Sequence, residues 1–185
     1  RRPLAKTKTN YQIDADGAIT VSVHADISDG IPPLPRFGFD FTLSPGQEQI
    51  EYYGRGPKEN YPDMKAHAKV GRYHTTVSQE YEPYCAPQNH GVHTDVAWLK
   101  ITDASGIGLL FESDHFAFTA SHFSTEQLEK AKHTYELTPQ EVTYLKIDAA
   151  VSGVGTASCG PTLDPNYQLT QKHFDFTFFV KPIVR

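Results

Sequence analysis

The chain has 185 residues, of which 38% are hydrophobic and 12% aromatic, with a formal net charge of −5. This is enough apolar material for the core of one ordinary domain. Lys and Arg do not cluster into a phosphate-binding surface, so nucleic acid is not expected as a partner. The longest apolar runs, 107–111 and 176–180, are too short to cross a bilayer, so no membrane partner is expected either.

Alternation of apolar and polar residues is the dominant pattern and is typical of half-buried strands. It predicts strands at 19–25, 37–43, 96–102, 108–112, 117–121, 143–148 and 174–178. Polar turn sequences stand between strands at 14–17, 28–30, 44–46 and 103–106. The predicted fold class is therefore all-β, an antiparallel sandwich or barrel.

One helix is predicted, from Ser124 to about Lys132. Ser124 can accept a backbone N–H bond as the N-cap while Gln127 reaches back, which is the capping-box pattern. Glu126 near its start and Lys130 near its end suit the helix dipole. No repeat, low-complexity tract or linker divides the sequence, so a single domain over 1–185 is predicted.

The cysteines and histidines are candidate metal ligands. Cys85 and Cys159 are too few for a disulfide scaffold, and separate reduced thiols are favoured over a pair. His90 and His93, with Cys85 nearby, are zinc-type donors, but a structural site needs four ligands and only one end is visible. A solvated loop is therefore the favoured interpretation, and no metal site is predicted.

Carboxylate pairs are the candidates for glycoside hydrolysis, because a retaining mechanism needs two carboxyl groups about 5 Å apart. The pairs that can be nominated are Glu59 with Asp63, Glu112 with Asp114, and Glu136 with Asp148. Nothing in their spacing separates them from surface or turn carboxylates. No catalytic residue is therefore predicted in this chain.

Two stretches early in the chain carry a signature. Leu-Pro-Arg stands at 34–36, and Tyr-Gly-Arg-Gly-Pro-Lys-Glu-Asn-Tyr-Pro-Asp stands at 53–63. Together they resemble the Leu-Pro-Arg and Tyr-Gly-Arg-Gly-Pro-x-Glu-Asn-Tyr-x-Asp motifs in the last domain of five-domain bacterial β-galactosidases, members of glycoside hydrolase family 2. Further matches follow in order at 84–88, 94–99, 121–124, 133–137, 147–148, 153–161 and 167–169. The chain departs from the family's usual residues at Met64, Asn89, His90, His93 and Ala97.

Several of these residues have a physical reason to be there. Gly54 and Gly56 allow close approaches that a side chain would block. Glu59 and Asn60 supply polar atoms that can hold loop backbone groups. Trp98, the only tryptophan, lies in a strand pattern and is predicted to fill the core rather than to stack on a sugar.

The resemblance implies a fold and a place in a larger enzyme. It implies a large antiparallel β-sandwich, the supersandwich related to galactose mutarotase, of which an N-terminal part precedes this chain. Exposed sheet edges, and self-association through them, are then expected. The family's two catalytic glutamates lie in a TIM barrel upstream, so this chain is expected to lack them.

The resemblance also implies a substrate contact. In the family, a loop of this domain extends a Trp or Cys toward the galactose site. By alignment of 158–161 that position is Cys159, with Ser158 beside it, and both would bind substrate only with the parent barrel present. The alternative is that Cys159 is a small buried residue in a Gly/Pro-rich loop. Relatives bind Mg²⁺ and Na⁺ at sites built largely by other domains, so no cofactor is expected here.

The leading interpretation is a structural and substrate-lip domain of a β-galactosidase that hydrolyses terminal β-D-galactosides such as lactose. Its partners would be the galactoside and the enzyme's other domains. One alternative is an autonomous carbohydrate-binding domain, which predicts aromatic residues exposed on a concave sheet face. Another is an aldose-1-epimerase-like enzyme, which needs a His acid and a Glu base converging over one sugar ring.

Overall fold

The computed structural model describes residues 3–155 and 160–184. The strands in these residues are β1 (Ala5–Ile13), β2 (Ile19–Ile27), β3 (Arg36–Leu43), β4 (Gln49–Gly56), β5 (Lys69–Thr76), β6 (His93–Thr102), β7 (Gly108–Ser121), β8 (Thr143–Val151) and β9 (His173–Ile183). A short helix, α1 (Thr125–Lys130), and single 3-10 turns at Ser78–Glu80, Thr134–Glu136 and Pro165–Tyr167 complete the secondary structure. All strand pairings are antiparallel, which confirms the predicted fold class.

The sheet branches at β7. The strands follow the order β1-β2-β9-β7-β6-β4-β5 along the main path. The first half of β7 pairs with β9, and its second half pairs with β8, which in turn pairs with β3. Because β7 changes partner midway, β3 and β8 form a second layer over β9, which gives an open sandwich.

The core lies between these two layers. β3 places Phe37, Phe39 and Phe41 on one face, as its period-two pattern predicts. Phe37 stacks on Phe174 of β9 with ring centroids 4.2 Å apart. Phe39 and Phe41 meet other core rings edge to face at 5.2 and 5.4 Å. Such aromatic pairs contribute about 0.5–1.5 kcal/mol each beyond area burial, so they fix how the layers stack.

The predicted strands at 108–112 and 117–121 are one 14-residue strand, β7. The polar stretch between them looks like a turn in the sequence, but Asp114 and His115 are exposed positions of a continuous strand. Register shifts against β6, between His93 and Val96 and between Val96 and Trp98, allow the strand to continue through this region. β1, β4 and β5 are missing from the strands that alternation predicts.

Local signals predict the caps and turns well. Gly17, Gly30, Gly46 and Gly106 all have positive φ in the turns where they were expected. Ser124 caps α1 with both capping-box bonds present: Ser124 Oγ accepts from Gln127 N, and Ser124 N donates to Gln127 Oε1. The helix ends at Lys130, earlier than predicted, because Ala131 is already extended. Among the described residues, no helix is long and apolar enough to span a membrane.

Trp98 does not fill the core, so that prediction is wrong. In β6 the neighbouring Leu99 is completely buried, and Trp98 points to the opposite face of the sheet. There it stands beside Tyr53 of β4 and Glu112 of β7, with Lys100 Nζ 5.3 Å from its ring centroid. A period-two pattern gives two faces but not which of them is covered.

Candidate functional site

The longer signature stretch, 53–63, lies at the end of β4 and in the segment 57–68 that follows it. β4 runs between β5 and β6, close to both. A Cβ atom on Gly54 would lie 2.6 Å from Val96 Cγ2 of β6. Gly54 is therefore required by strand approach, as the sequence predicts, although the residue lies in a strand and not in a loop.

Glu59 holds three separate segments together. Its side chain accepts hydrogen bonds from Gly91 N at 2.7 Å, from the Tyr61 hydroxyl at 3.3 Å, and from the Tyr84 hydroxyl. Burial, together with this carboxylate, raises the pKa of Tyr84 to about 12 and also raises the pKa of Tyr61. Both tyrosines therefore remain protonated donors at neutral pH.

Asn60 is completely buried and satisfies the backbone around it. Its Nδ2 donates to the carbonyls of Arg55 and Lys58, both at 3.1 Å. Its Oδ1 accepts from Thr94 N at 3.0 Å, and its own N–H donates to Val92 O at 2.7 Å. The predicted role of Glu59 and Asn60 in holding loop backbone is confirmed.

His93 and Glu80 form a buried pair. His93 Nε2 lies 2.5 Å from Glu80 Oε2, and the two side chains are 0% and 7% exposed. Nδ1, on the other side of the ring, lies 3.0 Å from the Tyr52 hydroxyl and 3.1 Å from the Arg55 carbonyl oxygen, so both ring nitrogens have polar partners. Burial raises the pKa of Tyr52, and the nearby Glu80 charge raises it further, so this hydroxyl also stays a donor.

The prediction that His90 and His93 lie in a solvated loop is wrong. They are 5% and 0% exposed, because β6 begins at His93 and the preceding turn packs inward. Cys85, the third donor considered with them, is an exposed free thiol. Within 3–155 and 160–184, no three His, Cys, Asp or Glu side chains are grouped to hold a metal ion.

Of the nominated carboxylates, Asp114 is an exposed strand residue and the others are engaged in structural contacts. Glu112 accepts from Lys181 Nζ at 2.6 Å, and Glu136 accepts from Lys132 N at 2.9 Å. Asp148 lies 3.3 Å from an Arg36 nitrogen, and burial raises its pKa to about 6 despite this cation. That distance is ion-pair contact only, since Asp148 Oδ2 has no hydrogen-bond donor among the described residues.

Asp63, the last signature residue, contacts a distant segment. Its two carboxylate oxygens accept from Val154 N at 3.0 Å and from Gly155 N at 2.8 Å. These residues open the connection from β8 to β9, which contains the predicted substrate-binding residues Ser158 and Cys159. Those two residues lie outside the residues that the structure describes.

The two ends of this connection are tied together. Ser152 Oγ donates to Leu34 O at 2.7 Å and accepts from Leu169 N at 2.9 Å. Leu34 and Leu169 form an isolated bridge, and Gly153 N donates to Tyr167 O at 2.9 Å. The Leu-Pro-Arg motif therefore supports the base of the same loop that Asp63 holds.

A cleft of about 310 Å³ lies at this base, and both polar and apolar residues line it, among them Arg36, Tyr61, Asn89, Lys146, Ser152 and Val154. Its size is at the small end of the range for ligand cavities. Arg36 Nη1 is buried without a hydrogen-bond acceptor among the described residues. The signature residues, the cleft and the loop thus form one continuous region of the molecule.

The fold and this region define an antiparallel β-sandwich in which buried polar side chains hold loops in place. The family described as β-galactosidase small chain matches residues 1–180, and the chain belongs to that family. It is similar to the β-galactosidase of Staphylococcus xylosus, with 33% identity over 97% of this chain and 18% of the relative.

Other relatives agree. The β-galactosidase of Vibrio cholerae is 36% identical over 92% of this chain and 16% of its own length. That of Actinobacillus pleuropneumoniae is 37% identical over 91% of this chain and 16% of its own length. The chain therefore spans less than a fifth of the length of the curated relatives it matches.

Proposed function

We propose that this chain is the C-terminal domain of a β-galactosidase that hydrolyses terminal β-D-galactosides such as lactose, and that it carries no catalytic carboxylate itself. The observation behind this is the extent of the match. Nearly the whole chain aligns with β-galactosidases at 33–37% identity, and the aligned region covers only 16–18% of the length of those relatives. The catalytic glutamates would then lie in a barrel contributed by another part of the whole protein.

The structural contacts of the carboxylates support this proposal. Glu59 and Asp63 hold backbone and tyrosine hydroxyls, and Glu112 is paired with a lysine. A retaining glycosidase instead needs one carboxylate free to attack the sugar and one acid free to protonate the leaving group. These three carboxylates are therefore better suited to structural contacts than to glycoside hydrolysis.

Within this domain we assign the substrate contact to Ser158 and Cys159, at the edge of the galactosyl subsite. Cys159 would act as a contact and not as a nucleophile, because the covalent intermediate of this chemistry forms on a carboxylate. The ties at Asp63 and Ser152 support the assignment, since a loop that contacts substrate needs a fixed base. The proposed domain needs no cofactor of its own, and its partners are the galactoside and the other domains.

Autonomous carbohydrate binding is a second candidate, because one row of side chains favours it. Tyr53 and Trp98 are cross-strand partners on the outer sheet face, and Phe179 lies in the same row beyond Glu112 of β7; Tyr53 and Phe179 are 43% and 42% exposed. Aromatic rings of this kind stack on the apolar faces of sugars. Calorimetric titration with galactosides tests it, and this candidate requires saturable binding that Trp98→Ala weakens.

An epimerase-like activity has no such support. Four His–Glu pairs are found among the described residues, with N···O distances of 2.5, 2.7, 3.0 and 3.9 Å: His93 with Glu80, His122 with Glu48, His133 with Glu136, and His74 with Glu51. Side chains in direct contact leave no room for a sugar ring between an acid and a base.

The leading proposal is tested by complementation. A chromogenic β-galactoside is incubated with this chain alone, with a β-galactosidase lacking this segment, and with both together. Hydrolysis only in the mixture is the expected result. Hydrolysis by the chain alone would contradict the proposal and require a catalytic pair within the chain.

The proposed substrate contact has its own test in the whole enzyme. Cys159→Trp is expected to change the relative kcat/KM for several galactosides, with Cys85→Ser as the matched control on the other thiol. Unchanged preference in Cys159→Trp would remove the contact role while leaving the domain assignment intact.

A further inference from the structure

Asp63 makes an unusual contact for a residue of a turn. Both of its carboxylate oxygens are used, each by one backbone N–H of successive residues, Val154 and Gly155. The two segments are about ninety positions apart in sequence. Hydrogen bonds to an ionised carboxylate are roughly twice as strong as neutral ones, so this is a firm attachment.

The backbone is shaped to receive the carboxylate. A Cβ atom on Gly153 would lie 2.5 Å from Asp63 Cγ, so a side chain at this position would displace the carboxylate. Gly155 has φ +65°, a conformation that other residues rarely adopt. Glycine at both positions is therefore a requirement of the contact with Asp63.

Asp63 itself is held in place by its neighbours. Tyr61 and Met64 exchange backbone hydrogen bonds at 3.1 and 2.9 Å, which closes the turn that carries it. Asn60 and Glu59, just before this turn, are fixed by the buried contacts described above. The anchor is therefore rigid on its own side, and its position is transmitted to the backbone of 153–155.

We propose that Asp63 is a positioning residue for galactoside hydrolysis: it fixes the backbone at 153–155, where the chain enters the segment that contains Ser158 and Cys159. This inference rests on the function proposed above, in which those two residues contact the galactosyl group. Asp63 does not touch the substrate. It acts by fixing the backbone at 153–155, from which the chain continues to the proposed contact residues.

The attachment is tested first by amide hydrogen exchange on the purified chain. Asp63→Ala is expected to remove the protection of the Val154 and Gly155 amides, and Asp63→Asn, which keeps one carbonyl acceptor, to remove only part of it. Asp164→Ala is the matched control, because Asp164 also accepts a backbone N–H in the β8–β9 connection, from Asn166 at 2.8 Å. Amides of β7 report that each variant is folded.

The positioning role is tested by kinetics of the whole β-galactosidase containing this chain. Asp63→Ala is expected to raise KM for a galactoside about tenfold with a smaller change in kcat, as for loss of binding shared by ground and transition states. Asp63→Asn should lie between Asp63→Ala and the unmodified enzyme. Asp164→Ala should leave KM unchanged.

The outcomes separate the two levels of the proposal. Unchanged protection at Val154 and Gly155 in Asp63→Ala would overturn the attachment. Lost protection with unchanged KM would overturn the positioning role. If the whole enzyme has no β-galactosidase activity, the proposed function and the positioning role both fail, whereas the exchange result still reports on the attachment.

Discussion

Two buried carboxylates of this chain, Glu59 and Asp148, are compensated in different ways. Glu59 receives three hydrogen bonds, from one backbone N–H and two hydroxyls. Asp148 has a nearby guanidinium, but its Oδ2 has no hydrogen-bond donor among the described residues. The first carboxylate should therefore stabilise the fold at neutral pH, and the second should cost stability there.

Glu59→Ala is expected to lower the free energy of unfolding by about 2–4 kcal/mol, because three donors lose their acceptor in a buried site. Urea denaturation measures the change. Glu141→Ala, at an exposed position, is the control and should have an effect within about 0.5 kcal/mol. Equal effects of the two substitutions would show that the Glu59 contacts add nothing to stability.

Asp148 makes stability depend on pH. Its pKa is raised from 3.8 to about 6 on folding, so the folded state binds the proton more tightly than the unfolded state. The stabilisation from this proton is complete below about pH 4 and is lost as pH rises through about 6, a change on the order of 3 kcal/mol.

Asp148→Asn should therefore flatten the fall in unfolding free energy between about pH 4 and pH 7. Urea denaturation at several pH values measures the slope, and Asp29→Asn in an exposed turn is the control. A slope identical to that of the unmodified chain would mean that Asp148 titrates in the same way folded and unfolded.

At the scale of elements, β4 and β5 show how a strand can escape sequence prediction. β4 contains Gly54 and Gly56, residues that in isolation favour turns. β5 is an edge strand with exposed Lys69, Val70 and Arg72, so its alternation is weak. Both strands exist because β6 offers a partner for β4, and β4 then offers one for β5.

Gly54 and Gly71 make a matched pair for testing this packing, since they stand opposite each other in the β4–β5 ladder. A Cβ on Gly54 would be 2.6 Å from Val96, whereas a Cβ on Gly71 would be 3.4 Å from the Tyr73 side chain. Gly54→Ala should cost about 1–3 kcal/mol, and Gly71→Ala should be neutral or slightly stabilising.

Thermal and urea denaturation of both variants measure the difference. The control is internal, because both substitutions remove one glycine from the same hairpin and add one methyl group. If Gly71→Ala is as damaging as Gly54→Ala, backbone freedom and not close strand approach explains the glycines of this hairpin.

At the scale of the whole molecule, the sandwich is open at β1. This strand pairs with β2 alone among the described strands. Tyr11 and Ile13 stand opposite Val21 and Ile19 of β2, on the core side of the sheet, yet they are 64% and 70% exposed. The second layer of the sandwich therefore does not reach this edge.

We expect the purified chain to self-associate through β1, because an unpaired edge with exposed apolar side chains invites pairing. Sedimentation velocity over a range of concentrations measures the association. Tyr11→Lys should weaken it, whereas Val70→Lys, on the opposite and already basic edge, should not. A monodisperse monomer at all concentrations would contradict the expectation.

The sequence alone determined what depends on near neighbours along the chain. The strand alternation, the positive-φ glycines of the turns and the Ser124 capping box were all predicted, because each is decided within a few residues. The backbone-holding role of Asn60 was also predicted, since its amide bonds to the nearby carbonyls of Arg55 and Lys58. The same role was predicted for Glu59, but its backbone partner, Gly91 N, lies 32 residues away and only the fold brings it close.

Only the tertiary structure decided what depends on segments far apart. The change of partner along β7, the outward face of Trp98, the burial of His93 against Glu80 and the reach of Asp63 to Val154 all join distant residues. Alternation shows that a strand has two faces, but burial is assigned by whichever layer packs against it. That choice depends on the pairing of the whole sheet, so no local pattern contains it.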